Sequence, residues 1–541
     1  MKKTLLQQFT TIILLTISIT CFSQEPTIGL LQYDETATEG YTLFTPESNN
    51  SVYLINNCGE VINSWDFTEK PGLTCYILQN GSLLRAGKNY IEIRAWNNNL
   101  LWSYSVSELG LNQHHDIEPL PNGNILCIVG DNYSTNDIIA QGKNPSLVGA
   151  NHKLDKIIEI QPIGTNSVNV VWEWKFIDHL IQDYDASKPN YGVVADHPEL
   201  IDLNYIDPNI SNQSVDYIHL NGIDYNSELD QILISSRNLN EIFIIDHSTT
   251  TLEASEHTGG NSNMGGDILW RWGNPRVYKQ GNEMDQKLFV QHDAKWVESG
   301  YLDEGKISVF NNGGDGTSTY SSVHLLNPEF INDSYTKENS KFKPLDYDWS
   351  WNGEILNNML LETKKSGAHS LPNGNFIITE TSLGQVSEVT KSGNVLWTYR
   401  NPTGPNSNVF NQFEDATAGN NCFRFEKYPI NFIGFLEKDM SPQSILENQN
   451  SISDSCSNSL SLSDLDLNKL SVINPVKSNT IVFSNHLKAD SISIINTEGK
   501  TVFFRKNYSG KFLNVNLNNS IYFIKFSLKN KTVYKKIIVS K

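Results

Sequence analysis

Apolar and polar residues alternate along most of this chain in short runs, and helical periodicity is scarce. The alternation recurs around tryptophans: residues 62–65 end on Trp65, 101–104 carry Trp102, 171–174 carry Trp172 and Trp174, 269–272 carry Trp270 and Trp272, and 396–399 carry Trp397. A period of two marks strands with one buried face and one wet face. Hairpins follow at Asn80-Gly81, Asn122-Gly123 and Asn373-Gly374, because Asn and Gly accept the positive φ that tight hairpin turns need. Less regular copies begin at His219, at His292 and near Asn421. Six such clusters with periodic aromatics predict an all-β fold, a six-bladed β-propeller over residues 25–443 in which the first strand of each blade lines a central channel. The Asp-, Pro- and Asn-rich stretch 176–214 is too long for a blade turn and predicts an insertion over one face.

The two ends follow other patterns. Lys2 and Lys3, an apolar run over 9–19 and a polar exit at Cys21-Phe22-Ser23-Gln24 predict a signal peptide at 1–24. No later segment is apolar enough to span a bilayer, so no transmembrane segment is expected in the mature chain. Past Pro442 the composition turns to Ser, Asn and Asp, which reads as a linker over 444–469. Residues 470–541 are basic and strand-rich, and predict a small C-terminal β-sandwich. Within it Gly499-Lys500-Thr501 reads as a turn, since the Gly that a phosphate-binding loop needs five residues earlier is Ile494.

A formal charge of −19 argues against a nucleic-acid partner. Five cysteines remain after the signal, an odd number in a chain too large to need a disulfide framework. Cys58 and Cys75 are either a bridge or two buried thiols. The histidines are less ordinary. His114-His115-Asp116, Asp216 to Asn221 with His219, Gln291-His292-Asp293 and Ala368-His369 all stand at the start of predicted inner strands, and Arg237 follows His219 on the next strand. A single histidine so placed is an ordinary core residue. Four at equivalent places predict a ring of imidazoles at the channel mouth. Mixed with an Arg fork and an amide, that ring suits a tetrahedral oxyanion better than a metal, so no metal and no cofactor are expected.

These motifs resemble the arylsulfate sulfotransferases, exported six-bladed propellers that pass a sulfuryl group from one phenolic ester to another phenol without a nucleotide donor. The resemblance runs over most of residues 40–430 and rests on His115-Asp116, His219-Leu220-Asn221, Ser236-Arg237 and Gln291-His292, the last followed by Val309-Phe310-Asn311-Asn312-Gly313. It implies that His292 becomes sulfated, with His115, His219 and Arg237 as further catalytic groups and Asn221 binding substrate. His114 and His369, on the same strand starts, are added as candidate substrate contacts. Around Tyr320-Ser321-Ser322 the chain departs from the family pattern, where a basic residue follows. Residues 470–541 resemble the C-terminal sorting domain of the type IX secretion system, through Asn474-Pro475-Val476 and Lys535-Lys536-Ile537-Ile538. The implied partners are small phenolic donors and acceptors and the type IX machinery, and the implied destination is the cell surface or the medium. Against the enzyme stands a non-catalytic propeller binding sulfated or acidic ligands, and more weakly a lyase acting on uronates.

Overall fold

A tryptophan strand holds its place in this fold by reaching into the next sheet. The computed structural model describes residues 26–149, 151–414 and 419–448, then Cys456 and most of 472–541; residues 1–24, expected to be a signal peptide, and most of the 444–469 stretch lie outside the described residues. Six antiparallel sheets of four or five strands make up the first domain, and a further four-stranded sheet lies at the C-terminus. In each of the six, the outermost or next outermost strand carries a tryptophan whose indole N–H donates to a backbone carbonyl of the following sheet or its loops. Trp65 bonds Ala95 (3.0 Å), Trp102 bonds Ser167 (3.0 Å) and Trp174 bonds Gly266 (2.6 Å). Trp270 bonds Lys343 (2.7 Å), Trp349 bonds Lys391 (3.0 Å) and Trp397 bonds Asn57 (2.7 Å), which returns to the first sheet and closes the circle. An indole suits the task because it fills the gap between sheets and satisfies a buried carbonyl together.

The innermost strands are Pro71–Ile77, Gln113–Pro119, Leu220–Asn226, His292–Trp296, Gly367–Ser370 and Cys422–Pro429, and they neighbour one another around the ring. The expected β-propeller is therefore the fold. Its middle strands are apolar on both faces because each sheet is covered twice. In Gln231–Ser236, Ile232 and Ile234 join one core cluster while Leu233 joins the next. Chain closure uses both ends: Cys422–Pro429 pairs with Gly40–Pro46, and Gly29–Tyr33 pairs with Val395–Arg400. Ser444–Asn448, expected at the start of the linker, also pairs here, through Ser444 with Val61 and Asn448 with Gln412.

Cysteine pairing corrects one expectation. Cys58 is bonded to Cys456, not to Cys75, which is a buried free thiol like Cys127 and Cys422. Cys75 belongs to the core cluster around Leu43 and Trp65, whereas Cys58 packs with the cluster around Phe44 and Trp397, so the two are on different sides of their sheets.

In the C-terminal domain Thr480–Asn496, Thr501–Asn514, Ser520–Leu528 and Lys531–Val539 form one sheet. The register breaks between Val482 and Leu487, and that irregularity bends the long first strand so that Ile481 and Phe483 share a core with Ile494, Tyr522 and Ile524. Gly499, in the left-handed conformation at φ 81°, makes the hairpin turn expected of its motif.

Replacing the indole that closes the ring tests this architecture. Trp397→Phe leaves the Asn57 carbonyl unpaired and a gap beside it, at a cost of about 2–4 kcal/mol. Urea unfolding should show the loss, and an unchanged midpoint would contradict the latch.

Candidate functional site

Three inner strands begin with an irregularity rather than a clean ladder. Pairing slips across His114 to Asp116, between Leu220 and Gly222, and between His292 and Lys295. His115 (φ 59°), His219 (φ 53°) and Asp293 (φ 54°) are left-handed at these points. A bulge of this kind turns a side chain out of the alternation of its strand, and here it gathers imidazoles that regular strands would point apart. The His115 and His219 rings lie 5.0 Å apart, and Phe423 stands 6.3 Å from His115.

His292 is buried, and its proton is fixed by Asn312. The Asn312 amide donates to the carbonyls of Glu362 (2.8 Å) and Lys365 (2.9 Å), so its oxygen must accept, and His292 Nδ1 donates to it at 2.7 Å. Nε2 is then left with a lone pair, which among the described residues accepts only the Lys365 amide at 3.2 Å. Burial, opposed by the Asn312 bond and reinforced by the Arg237 charge, brings the His292 pKa down to about 3. The ring is a neutral nitrogen base. Gln291 anchors the strand from behind: its amide donates to Ser235 Oγ and to the Ser236 and Glu241 carbonyls of the neighbouring sheet.

His219 Nδ1 lies 2.5 Å from Asp216 Oδ2, an imidazole–carboxylate pair that orients the ring. His115 is supported differently. Its Nδ1 faces His114 Nδ1 at 2.9 Å, and His114 Nε2 lies 3.0 Å from Asp155 Oδ1. Burial and the adjoining His114, His219 and His292 rings push the His115 pKa well down. Against its burial, His114 and Lys153 hold the Asp155 carboxyl at about 2. His114 thus stands behind His115.

Arg237 is half-buried and its one side-chain hydrogen bond among the described residues is to Asn238 Oδ1 (2.8 Å), leaving most of its fork uncommitted. Asn221 donates to the Gln291 carbonyl (2.7 Å), and its own buried oxygen has no hydrogen-bond partner among the described residues. Arg424 lies against this group, paired with Asp116 and Asp293. The insertion is tied to the turn after Arg237: Gln213 donates to the Asn238 carbonyl (3.0 Å), and Asp207 accepts from Asn240 (2.8 Å).

The structure therefore brings His114, His115, His219, Asn221, Arg237 and His292 together, and leaves His369 out. His369 follows Gly367 along its strand and lines a separate cavity of about 460 Å³ with Tyr76, Glu118, Lys295 and Glu426, among whose lining residues none of the other six appears. Burial first, then Lys295, brings its pKa down to about 3. Sequence reasoning assigned no role to Asn312, Asp216 or Asp155, although the first two lie inside motifs it had singled out. Arg424 carried no signal of its own.

Neutral imidazoles, a carboxylate-held histidine and a largely uncommitted guanidinium thus converge within the propeller. This chain belongs to the arylsulfotransferase (ASST) family, whose profile matches residues 48–340. That range holds every gathered site residue and stops short of His369 and Arg424. Residues 474–540 match the secretion system C-terminal sorting domain, which marks the chain for type IX export to the cell surface or beyond. No helix among the described residues is long and apolar enough to cross a membrane. No curated protein matches the chain. Among solved structures it is similar to a protein of unknown function from Bacteroides caccae (12% identity, 67% of this chain and 94% of that chain, TM-score 0.36). It is also similar to virginiamycin B lyase from Staphylococcus aureus (10%, 69% and 88%, 0.31) and to the Cps50 (Swd1) β-propeller domain of Myceliophteria thermophila (7%, 68% and 89%, 0.34).

The depressed His292 pKa has a sign that can be measured. Above the unfolded value of about 6.5 neither state binds the proton; between there and about 3 only the unfolded state does, so stability falls as pH falls through that window. Urea unfolding from pH 7 to 5 should show a shallower decline in His292→Gln, by up to ~1.4 kcal/mol per pH unit. Parallel declines would mean that His292 is not held neutral.

Proposed function

We propose that this protein moves a sulfuryl group from a phenolic sulfate ester to a phenol in two displacements through His292, with no nucleotide donor. The observation that carries the reading is the Asn312–His292 bond, which leaves a neutral nitrogen lone pair among cationic and hydrogen-bonding groups. In the first step the Nε2 lone pair displaces the Lys365 amide and attacks sulfur. The S–O bond to the aryl group breaks with its electron pair, and His219, entering as an imidazolium paired with Asp216, gives its Nε2 proton to the leaving phenolate and becomes neutral. In the second step an acceptor phenol attacks the sulfur of the N–SO₃ group and returns its proton to His219, and the N–S electron pair goes back to His292. Arg237 and the remaining Asn221 N–H hold the sulfuryl oxygens while charge is redistributed. His115, backed by His114 and Asp155, is a neutral hydrogen-bonding partner for the phenolic oxygen.

An aryl sulfate whose phenol is coloured provides the test. Without acceptor, the enzyme should release about one equivalent of phenol and then stall, because water is a poorly placed second nucleophile. With acceptor, initial rates should give parallel double-reciprocal lines. Intersecting lines without a burst would mean direct transfer, and no release at all would mean a binding propeller. His292→Ala should lose transfer while keeping the wild-type circular dichroism spectrum, even though the vacated space and the unpaired Asn312 oxygen lower its unfolding midpoint. Arg237→Lys keeps the charge but not the planar fork, and kcat/KM should fall at least about tenfold, ~1.4 kcal/mol. A Lys variant with near-wild-type kcat/KM would free Arg237 of that role.

A further inference from the structure

Away from the channel, two histidines converge on one carboxylate oxygen. His179 ends the short turn Phe176–His179 that opens the insertion; its ring is wholly buried and stacks on Trp174 with centroids 5.3 Å apart and planes 7° from parallel. Its Nε2 lies 2.9 Å from the Ala254 carbonyl oxygen, which can only accept, so Nε2 carries a hydrogen. In a neutral ring Nδ1 then has a lone pair, yet it lies 2.8 Å from Asp267 Oδ1, another acceptor. His257 Nδ1 stands 2.8 Å from that same oxygen. The three ligand atoms are all within 4.8 Å of one another.

Lone pairs aimed at each other at hydrogen-bond distance need either a proton or a metal cation between them. Two imidazole nitrogens and a carboxylate oxygen around one point are the donor set that takes zinc or a neighbouring late transition metal rather than magnesium or calcium. The surroundings support a bound ion. The His179 N–H opposite the ligand atom is held by a backbone carbonyl, the usual way in which a ligating histidine is oriented. Gly266 keeps that arrangement open: a Cβ there would be 2.1 Å from the Ala254 oxygen and 2.7 Å from His179 Nε2. Trp174, beneath the ring, donates to the Gly266 carbonyl and so fixes both.

We propose that His179, His257 and Asp267 bind one divalent transition-metal ion, zinc being the natural candidate, with a fourth position open to water on the His257 side. His257 is 57% exposed at its side chain, which leaves that face accessible. Tetrahedral zinc with bonds of about 2.0–2.1 Å separates its ligand atoms by roughly 3.3 Å. The present spacing has to widen by about half an ångström on binding, and His257, on a surface loop, has room to move. The ion would clasp the loop between Glu241–Asp246 and Ile268–Trp272 to the start of the insertion, whose later residues Asp207 and Gln213 bond Asn240 and Asn238 beside Arg237. Its role is structural and it takes no part in sulfuryl transfer.

The test is metal content. Untagged full-length protein, dialysed against buffer holding micromolar free zinc, is analysed by elemental mass spectrometry, and its affinity is measured by competition with a chromophoric chelator. Wild type should hold one zinc per chain and gain thermal stability over its chelator-treated form. His257→Ala, whose lost side chain is on the surface, should keep the chelator-treated midpoint but neither hold zinc nor respond to it, and Asp267→Asn should behave likewise. Wild type without zinc, or His257→Ala with as much as wild type, would overturn the proposal and leave a hydrogen-bonded Asp–His–His cluster.

Discussion

Arg424 reaches from the strand that closes the propeller to three other inner strands. Its Nη1 donates to Asp116 Oδ2 at 2.5 Å, its Nε faces Asp293 Oδ1 at 2.8 Å, and its Nη2 donates to the Asn221 carbonyl at 3.3 Å. Tyr76, on a further strand, donates to the other oxygen of Asp116 at 2.9 Å. Glycine supplies the space that remains, since a Cβ on Gly367 would fall 2.1 Å from Asp293 Oδ2. One cation and two carboxylates therefore tie together strands that are adjacent only because the ring is closed. Against its burial, the two carboxylates hold the Arg424 pKa well above its ordinary value. Such a cluster gives little net stability compared with an apolar plug, but it is unforgiving of a missing partner, at about 3–5 kcal/mol, and thereby enforces one register around the axis.

The site inherits that register. Asp116 and Asp293 are the next residues after His115 and His292, so the pairing that fixes the two carboxylates also fixes where the imidazoles emerge. The left-handed backbone at His115, His219 and Asp293 is unfavourable for side-chain-bearing residues and persists because the surrounding bonds over-determine it. Charge is divided to match. Asp216 and Asp155 bond His219 and His114, while the His292 ring is held neutral and most of the Arg237 fork is left uncommitted. In the proposed reaction an anionic ester would then meet no like charge, and His292 would enter it with its lone pair free.

How much of this was legible depended on how local each signal was. The propeller could be read because its strands, Asn-Gly turns and tryptophans repeat within short windows. The sixth tryptophan latch was hidden, since Trp349 stands on a strand of only three residues after a long excursion from its sheet. The clustered residues were visible as motifs on strand starts, whereas the same motif logic could not tell that His369 lines a separate cavity. Arg424 could not be read, because its carboxylate Asp116 is 308 residues away. The cysteine pairing failed for the same reason: Cys58 and Cys456 are 398 residues apart, while Cys75 was merely close in sequence.

The central claim is that His292 Nε2 itself carries the transferred group. Protein mixed with an aryl sulfate alone, quenched in alkali and analysed by peptide mass spectrometry, should show the mass of one sulfuryl group on the peptide containing His292. Brief acid treatment should remove it, as expected of an N–S bond. An unmodified His292 peptide, or an acid-stable group on a tyrosine or serine, would contradict the account.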